Sequence, residues 1–213
     1  MRSTYWPLFD LRVVTPRVEL RPASDEDLAE LAALAADGVH DPDFMPFAIP
    51  WTEGGPDAAA RSTLQFNWRI RAEWKPEAWH LSFVTVAGGQ VVGMQGISGT
   101  SFAVTKTVDT GSWLGLRHQG KGIGKEMRAA VLHFAFEGLG AEVAQSGAWE
   151  DNKASLGVSA AMGYEPNGEN VGVRQGRGDR LVHLRLPRDA WEARRRDDIR
   201  IEGLDACRAE FGI

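Results

Sequence analysis

The sequence predicts an α/β fold, of the α+β kind, in one domain over residues 1–213, and three observations predict it. Stretches of period-two apolar alternation are interleaved with stretches of helical periodicity, the pattern of strands and helices that share one core. A chain of 213 residues can bury one full core and does not demand two. Three alternating glycines, Gly120, Gly122 and Gly124, stand between a short apolar stretch and a strongly periodic helix. Alternating glycines let neighbouring amides turn inward together, and the helix that follows aims its positive dipole end at the same point.

Residues 17–22 alternate polar and apolar and read as a first strand. Ser24 followed by Asp25, Glu26 and Asp27 is a helix N-cap with acids in the first turn, and Leu28, Leu31, Leu34 and Ala35 form the apolar face. Residues 38–55 are broken by Pro and Gly yet carry Phe44, Met45, Phe47, Ile49 and Trp51, so this connection is expected to pack rather than to float. A second helix is expected over residues 56–74. Strands over 80–87 and 90–98 meet at Gly88-Gly89, a hairpin signal. A fourth strand over 108–116 leads into the glycine loop, and Ile123, Met127, Ala130, Val131 and Phe134 repeat at helical spacing behind it. A strand over 142–149, a helix opening at Asn152 and a closing hairpin over 165–188 around Gly176 and Gly178 complete the order. Trp191, Ile201, Leu204 and Phe211 give the tail enough apolar mass to dock, and most of the eight tryptophans are expected to anchor core or interface.

Composition narrows the function. A net charge of −5 argues against nucleic acid as a partner, because the one basic run, Arg194-Arg195-Arg196, is offset at once by Asp197 and Asp198. The lone Cys207 excludes an internal disulfide and suits a reducing compartment. His40, His80, His118, His133 and His183 lack metal-ligand spacing, so no metal is expected. With no apolar run of membrane length and no signal-peptide order at the N-terminus, a cytoplasmic protein without a membrane partner is expected.

The glycine run fits three phosphate-binding patterns unequally. Gly115-x-x-x-x-Gly120-Lys121 matches most of a mononucleotide P-loop, but Gly122 stands where a hydroxyl should hold Mg²⁺. Read from Gly120 as a dinucleotide fingerprint, the run ends in Lys125 instead of glycine and lies mid-chain. The third pattern is Gln119-x-x-Gly122-x-Gly124, and further on Asn152-x-x-Ser155 precedes Gly163-Tyr164. These two motifs, in this order and separated by one helix and one strand, resemble the GCN5-related N-acetyltransferases (GNAT). Asn152 and Gly163 are also good helix caps, and both roles can coincide. The resemblance runs from about Pro16 to Arg188 and is nearest to the branch of ribosomal-protein N-terminal acetyltransferases and their actinobacterial relatives. Residues 6–11, with His40-Asp41-Pro42-Asp43 and Met45-Pro46-Phe47, are similar to an actinobacterial subgroup.

The resemblance implies a GNAT fold: a central mixed, mostly antiparallel twisted sheet of about seven strands flanked by helices, with acyl-CoA in a splay between strands four and five. It implies direct transfer of an acetyl group from acetyl-CoA to a primary amine in a ternary complex. Leu114, Leu116, Arg117, Gln119, Gly120, Lys121, Gly122, Ile123, Gly124 and Lys125 would hold the pyrophosphate end, and Asn152 and Ser155 the pantetheine or adenine end. A backbone N–H around residues 114–116 would stabilise the oxyanion. Many relatives carry a tyrosine four residues after the motif serine to protonate the thiolate; here that position is Ser159. Asp109, Glu150 and Asp151 are the candidate bases. Met45, Phe47 and Trp51, with Asp41 or Asp43, would line the acceptor side. Succinyl-CoA as donor, and a non-catalytic acyl-CoA sensor, stay open, as do the identity of the amine and a homodimer or higher homo-oligomer.

Overall fold

In a computed structural model that describes residues 4–213, nine strands form one sheet in the order β7-β8-β6-β5-β4-β3-β2-β1-β9. The strands are β1 (Arg12–Val14), β2 (Glu19–Pro22), β3 (Ala78–Ala87), β4 (Gln90–Thr100), β5 (Thr107–Leu114), β6 (Val143–Trp149), β7 (Glu165–Arg174), β8 (Arg177–Pro187) and β9 (Arg200–Glu202). The helices are α1 (Asp25–Asp37), α2 (Pro56–Ala72), the single turn α3 (Phe102–Thr105), α4 (Ile123–His133), α5 (Lys153–Met162) and α6 (Arg188–Glu192). Neighbouring strands run antiparallel except β5 and β6, which are parallel.

Period-two alternation sends consecutive residues to opposite faces, and two cores result. Phe83, Val92 and Leu114 join the larger core with α4 and the tail, whereas Val84, Val91 and Trp113 join the smaller one with Leu28, Leu31 and Leu34 of α1. Ser24 caps α1 through a reciprocal pair with Asp27, as its sequence pattern requires.

The sheet has nine strands where about seven were expected. The additional short strands β1 and β9 have three residues each and pair with one another, too short to show alternation in sequence. The strand expected over 108–116 ends at Leu114. Residues 116–118 turn instead, because the Leu116 amide donates to Gly38 O at 2.9 Å. Gly115 lies so close to α1 that a Cβ there would sit 2.4 Å from Leu34 Cδ1, which accounts for glycine at this junction. Among the described residues no helix is long and apolar enough to cross a membrane.

The tail docks. Phe211 is fully buried and meets Trp79, Trp74 and Phe134 with ring centroids 5.0, 5.5 and 5.7 Å away. Phe211→Ala is therefore expected to lower unfolding free energy by about 3–5 kcal/mol. Urea denaturation with an effect under about 1 kcal/mol would show the tail to be an appendage.

Candidate active site

The only parallel pairing among the described residues is also a very short one. Thr107, Val108 and Asp109 of β5 pair with Val143, Ala144 and Gln145 of β6, although β5 continues to Leu114 and β6 to Trp149. Past Asp109 the strands part, β5 following β4 and β6 following β8. The inner edges of 110–114 and 146–149 thus lose their ladder partners and frame a splay. The Gly115 amide bonds Val92 O at 3.0 Å, and antiparallel alternation from there turns the amides of Ser112 and Leu114 towards the splay.

At the open end of the splay, the glycine loop delivers the N-terminus of α4. Gly120 and Gly122 both take positive φ, +72° and +80°, which glycine adopts without strain. No backbone or side-chain acceptor within the described residues takes the amides from Gly120 to Lys125, and Glu126 N–H is the first to bond, to Gly122 O at 3.2 Å. Unsatisfied amides at a helix N-terminus form an anion cradle. Space above Gly120 is open, and a Cβ on Gly122 would press to 3.3 Å from Arg17 Nη1. The residues present fit a pyrophosphate. Lys121 and Lys125 are exposed beside it.

Other expected loop residues take different positions. The Gln119 amide group donates to Val39 O at 2.8 Å and Leu114 O at 2.9 Å, so its side chain ties the loop to the end of β5. Arg117 is paired with Asp37. The Leu116 amide is committed to Gly38 O and the Gly115 amide to Val92 O, which removes both from the 114–116 set of oxyanion donors and leaves Leu114. Gly124 and Ile123 pack, the first facing Val158 and the second in the core.

Asn152 caps α5 by accepting from Ser155 N–H at 3.1 Å, and its Nδ2 lies 3.4 Å from Pro46 O, so it also braces the 41–51 segment. Ser159 is 1% exposed, and its hydroxyl has no hydrogen-bond partner. Of the three candidate bases, Glu150 pairs with Arg180 at 3.1 Å and Asp151 with Arg174 at 2.8 Å. Asp109 makes no ion pair among the described residues, and partial desolvation raises its pKa from the ordinary carboxylate value although the residue keeps solvent access. It projects from the same face of β5 as Trp113, with Gly111 between them and open space above that glycine. His80, two strands over on β3, is pushed down to about 4 by burial and by nearby Arg69, so it is neutral near pH 7.

The 41–51 segment packs onto this face. Phe47 stacks near Trp51 at 5.0 Å, and Trp51 near Trp113 at 5.3 Å, while Met45 is buried. Asp41 caps its own turn through Asp43 N–H, and both carboxylates are exposed. Arg174, which carried no motif signal, pins the segment by donating to Met45 O at 2.8 Å while its guanidinium lies over Phe44 and Trp149. Sequence reasoning also missed Arg17, whose Nη2 donates to Lys121 O at 2.8 Å, and Arg196, which grips Glu126 with two bonds of 2.9 and 3.1 Å. Each reaches the loop from far along the chain, so no local pattern could reveal it. Among the described residues no cluster of His, Cys, Asp or Glu suits a metal ion.

A mixed sheet parted at its parallel pair, with an anion cradle at the mouth, is the architecture of the GNAT fold. The chain belongs to that family: the profile of the acetyltransferase (GNAT) domain matches residues 17–165. Solved structures agree in fold. RimJ of Mycobacterium smegmatis, in complex with CoA-disulfide, is 19% identical with a TM-score of 0.70, and the match covers 98% of this chain and 97% of that one. RimL, a ribosomal alpha-N-protein acetyltransferase in complex with coenzyme A, is 17% identical at TM-score 0.64, over 83% and 97%. The microcin self-immunity acetyltransferase MccE, in complex with acetyl-CoA and AMP, is 18% identical at 0.61, over 81% and 93%.

The Glu126–Arg196 clamp carries a pH signature. Hydrogen bonding to Arg196 holds the Glu126 carboxyl below its usual 4.5. A depressed pKa stabilises the fold above the unfolded value and stops doing so as pH falls through the folded one. Thermal melts of Glu126→Gln should thus trail the parent at pH 7, with the gap closing as pH falls below about 4.5. A gap independent of pH would exclude the clamp as its source.

Proposed function

We propose that the chain is an acetyl-CoA-dependent N-acetyltransferase that moves an acetyl group to a primary amine by direct attack in a ternary complex. The observation that carries this reading is the continuity of the orphan amides of residues 120–125 with the opened edge of β5. One extended ligand, anionic at one end, would satisfy both. The amides of the loop hold the pyrophosphate, with Lys121, Lys125 and Arg17 adding charge at its rim. Asn152 orders the start of α5, where Ser155 faces the arm. The lone Cys207, whose thiol burial pushes up to about 11, favours a reducing compartment and hence the cytoplasm as the working location.

Catalysis needs a neutral amine, an oxyanion donor and a place for one proton. Of the two amides turned to the splay, that of Ser112, two residues deeper than Leu114, is the donor. Asp109 receives the amine proton, directly or through water, since its carboxyl is the candidate left without a partner cation and a raised pKa improves a carboxylate base at neutral pH. Glu150 and Asp151 serve their arginines. The Phe47–Trp51–Trp113 stack walls the acceptor side on the face of β5 that also carries Asp109.

The direct test is mass spectrometry of a panel of peptide and small-molecule amines incubated with acetyl-CoA. Acetylated product is expected, and none from any amine would favour the sensor alternative. Gly122→Asp puts a side chain and a negative charge into the cradle and should abolish acetyl-CoA binding in calorimetry; unchanged affinity would remove the loop from the cofactor site. Asp109→Asn should lower kcat by roughly a hundredfold and erase the acidic limb of the rate profile, where the parent loses its base. Phe47→Ala should raise the acceptor KM and spare coenzyme A affinity. Lost thermal stability with unaltered acceptor kinetics would leave Phe47 a core residue.

A further inference from the structure

At the closed end of the splay lies a cation without a counter-ion. Arg128 extends from α4 and is 3% exposed. Its Nη1 donates to Thr110 Oγ1 at 3.3 Å and Ser146 Oγ at 3.4 Å, and its Nη2 to Ser112 Oγ at 3.2 Å. All three acceptors are neutral hydroxyls on the inner edges of β5 and β6. The hydroxyl of Thr110 donates to Gln145 O at 3.0 Å and that of Ser146 to Thr110 O at 3.2 Å, so both show lone pairs to the guanidinium. Nε of Arg128 is buried with no acceptor at all. Arg128 forms no ion pair with any described residue. On α4, Glu126 is held by Arg196, and on β5, Asp109 projects from the opposite face; the titratable group that reaches the cluster is Tyr164, its hydroxyl 3.0 Å from Thr110 Oγ1. A buried charge is normally paired, because desolvation penalises it otherwise. Here dipoles hold it and one donor stays idle, which is the half of an anion site that a protein supplies.

The proposed reaction creates an anion at this end. The pyrophosphate cradle marks the open end, and β5 runs back from Leu114 to Thr110 over about 13 Å at the usual strand rise. An extended pantetheine arm entering at the cradle therefore brings its sulfur towards Arg128. The tyrosine that would protonate this sulfur is absent: Ser159 occupies its position, and the Ser159 hydroxyl is buried without a partner.

We propose that Arg128 is a catalytic residue that stabilises the departing coenzyme A thiolate, in place of a proton donor. This rests on the acyl-CoA reading above. The amine nitrogen bonds the thioester carbonyl carbon, the C–S bond breaks, and its electron pair leaves on sulfur as thiolate. The amine's surplus proton goes to Asp109 or water, and none is required at sulfur. A guanidinium keeps its protons at ordinary pH, so it acts by charge and charge-assisted hydrogen bonding in a site screened from water.

Calorimetry with coenzyme A and desulfo-coenzyme A between about pH 6 and 9, the span in which an ordinary thiol near 8.5 ionises, tests this. The parent should prefer coenzyme A by tenfold or more, with the preference growing as pH rises. Arg128→Met should lose that preference and about a hundredfold in kcat with little change in acetyl-CoA KM, and Arg128→Lys should keep part of both. Equal, pH-independent binding of the two ligands by the parent overturns the thiolate role, and this holds even where Arg128→Met fails to fold. So does unchanged kcat in a folded Arg128→Met. Failure of the parent to bind either ligand overturns the acyl-CoA reading itself. Tenfold tighter binding of succinyl-CoA than acetyl-CoA, abolished in Arg128→Met, would assign the cation to an acyl carboxylate and overturn the thiolate role.

Discussion

Three residue pairs join β5 to β6, and the rest of the site follows from that number. The two halves of the sheet are each well paired internally: β5 follows β4 from Asp109 to Leu114, and β6 follows β8 along its whole length. Each strand stays with its antiparallel partner, so the two diverge where the parallel contact ends. Backbone groups on the inner edges are then left without a ladder, a state that proteins seldom leave unsatisfied. An extended ligand with amide groups of its own can take up that pairing. The opening is held at its closed end by side chains, the hydroxyls of Thr110 and Ser146 bridging to the opposite strand.

Electrostatics make the mouth of the splay selective for anions. The α4 dipole and six amides provide partial positive charge, and Arg17, Lys121 and Lys125 add full charges around it. Glu126, in the first turn of the same helix, would oppose an anion if it were free. Arg196 neutralises it with a two-bond clamp, and Asp198 in turn holds Arg196 at 2.8 Å. The basic run of the tail, solvated surface by its sequence alone, therefore contributes one residue to the environment of the loop.

The 41–51 segment is held by cross-bracing. Asn152 and Arg174 both reach back to main-chain carbonyls of the 41–51 segment, at Pro46 and Met45. A connection rich in proline becomes a fixed wall because two distant elements hold its backbone and the rings of Phe47 and Trp51 pack towards Trp113 of β5. Ordering of α5 and of the 41–51 segment is thereby linked through a single helix cap.

Much of this was legible from local pattern. Alternation and helical periodicity located the longer elements, since each such signal depends only on residues a few positions apart. The glycine loop and the Asn152 cap were readable for the same reason, as both are local backbone requirements. Three-residue strands β1 and β9 carry too few positions to show a period, so they emerged only with the sheet. Tertiary structure alone decided which charges are free. Glu150, Asp151 and Asp109 look alike in sequence, yet arginines far along the chain occupy the first two and leave the third. It also decided that Arg128, one arginine among many on an amphipathic helix, faces the sheet without a carboxylate. Periodicity shows which side of a helix is buried, but the partners that wait there are set by how the strands before and after it pack against it.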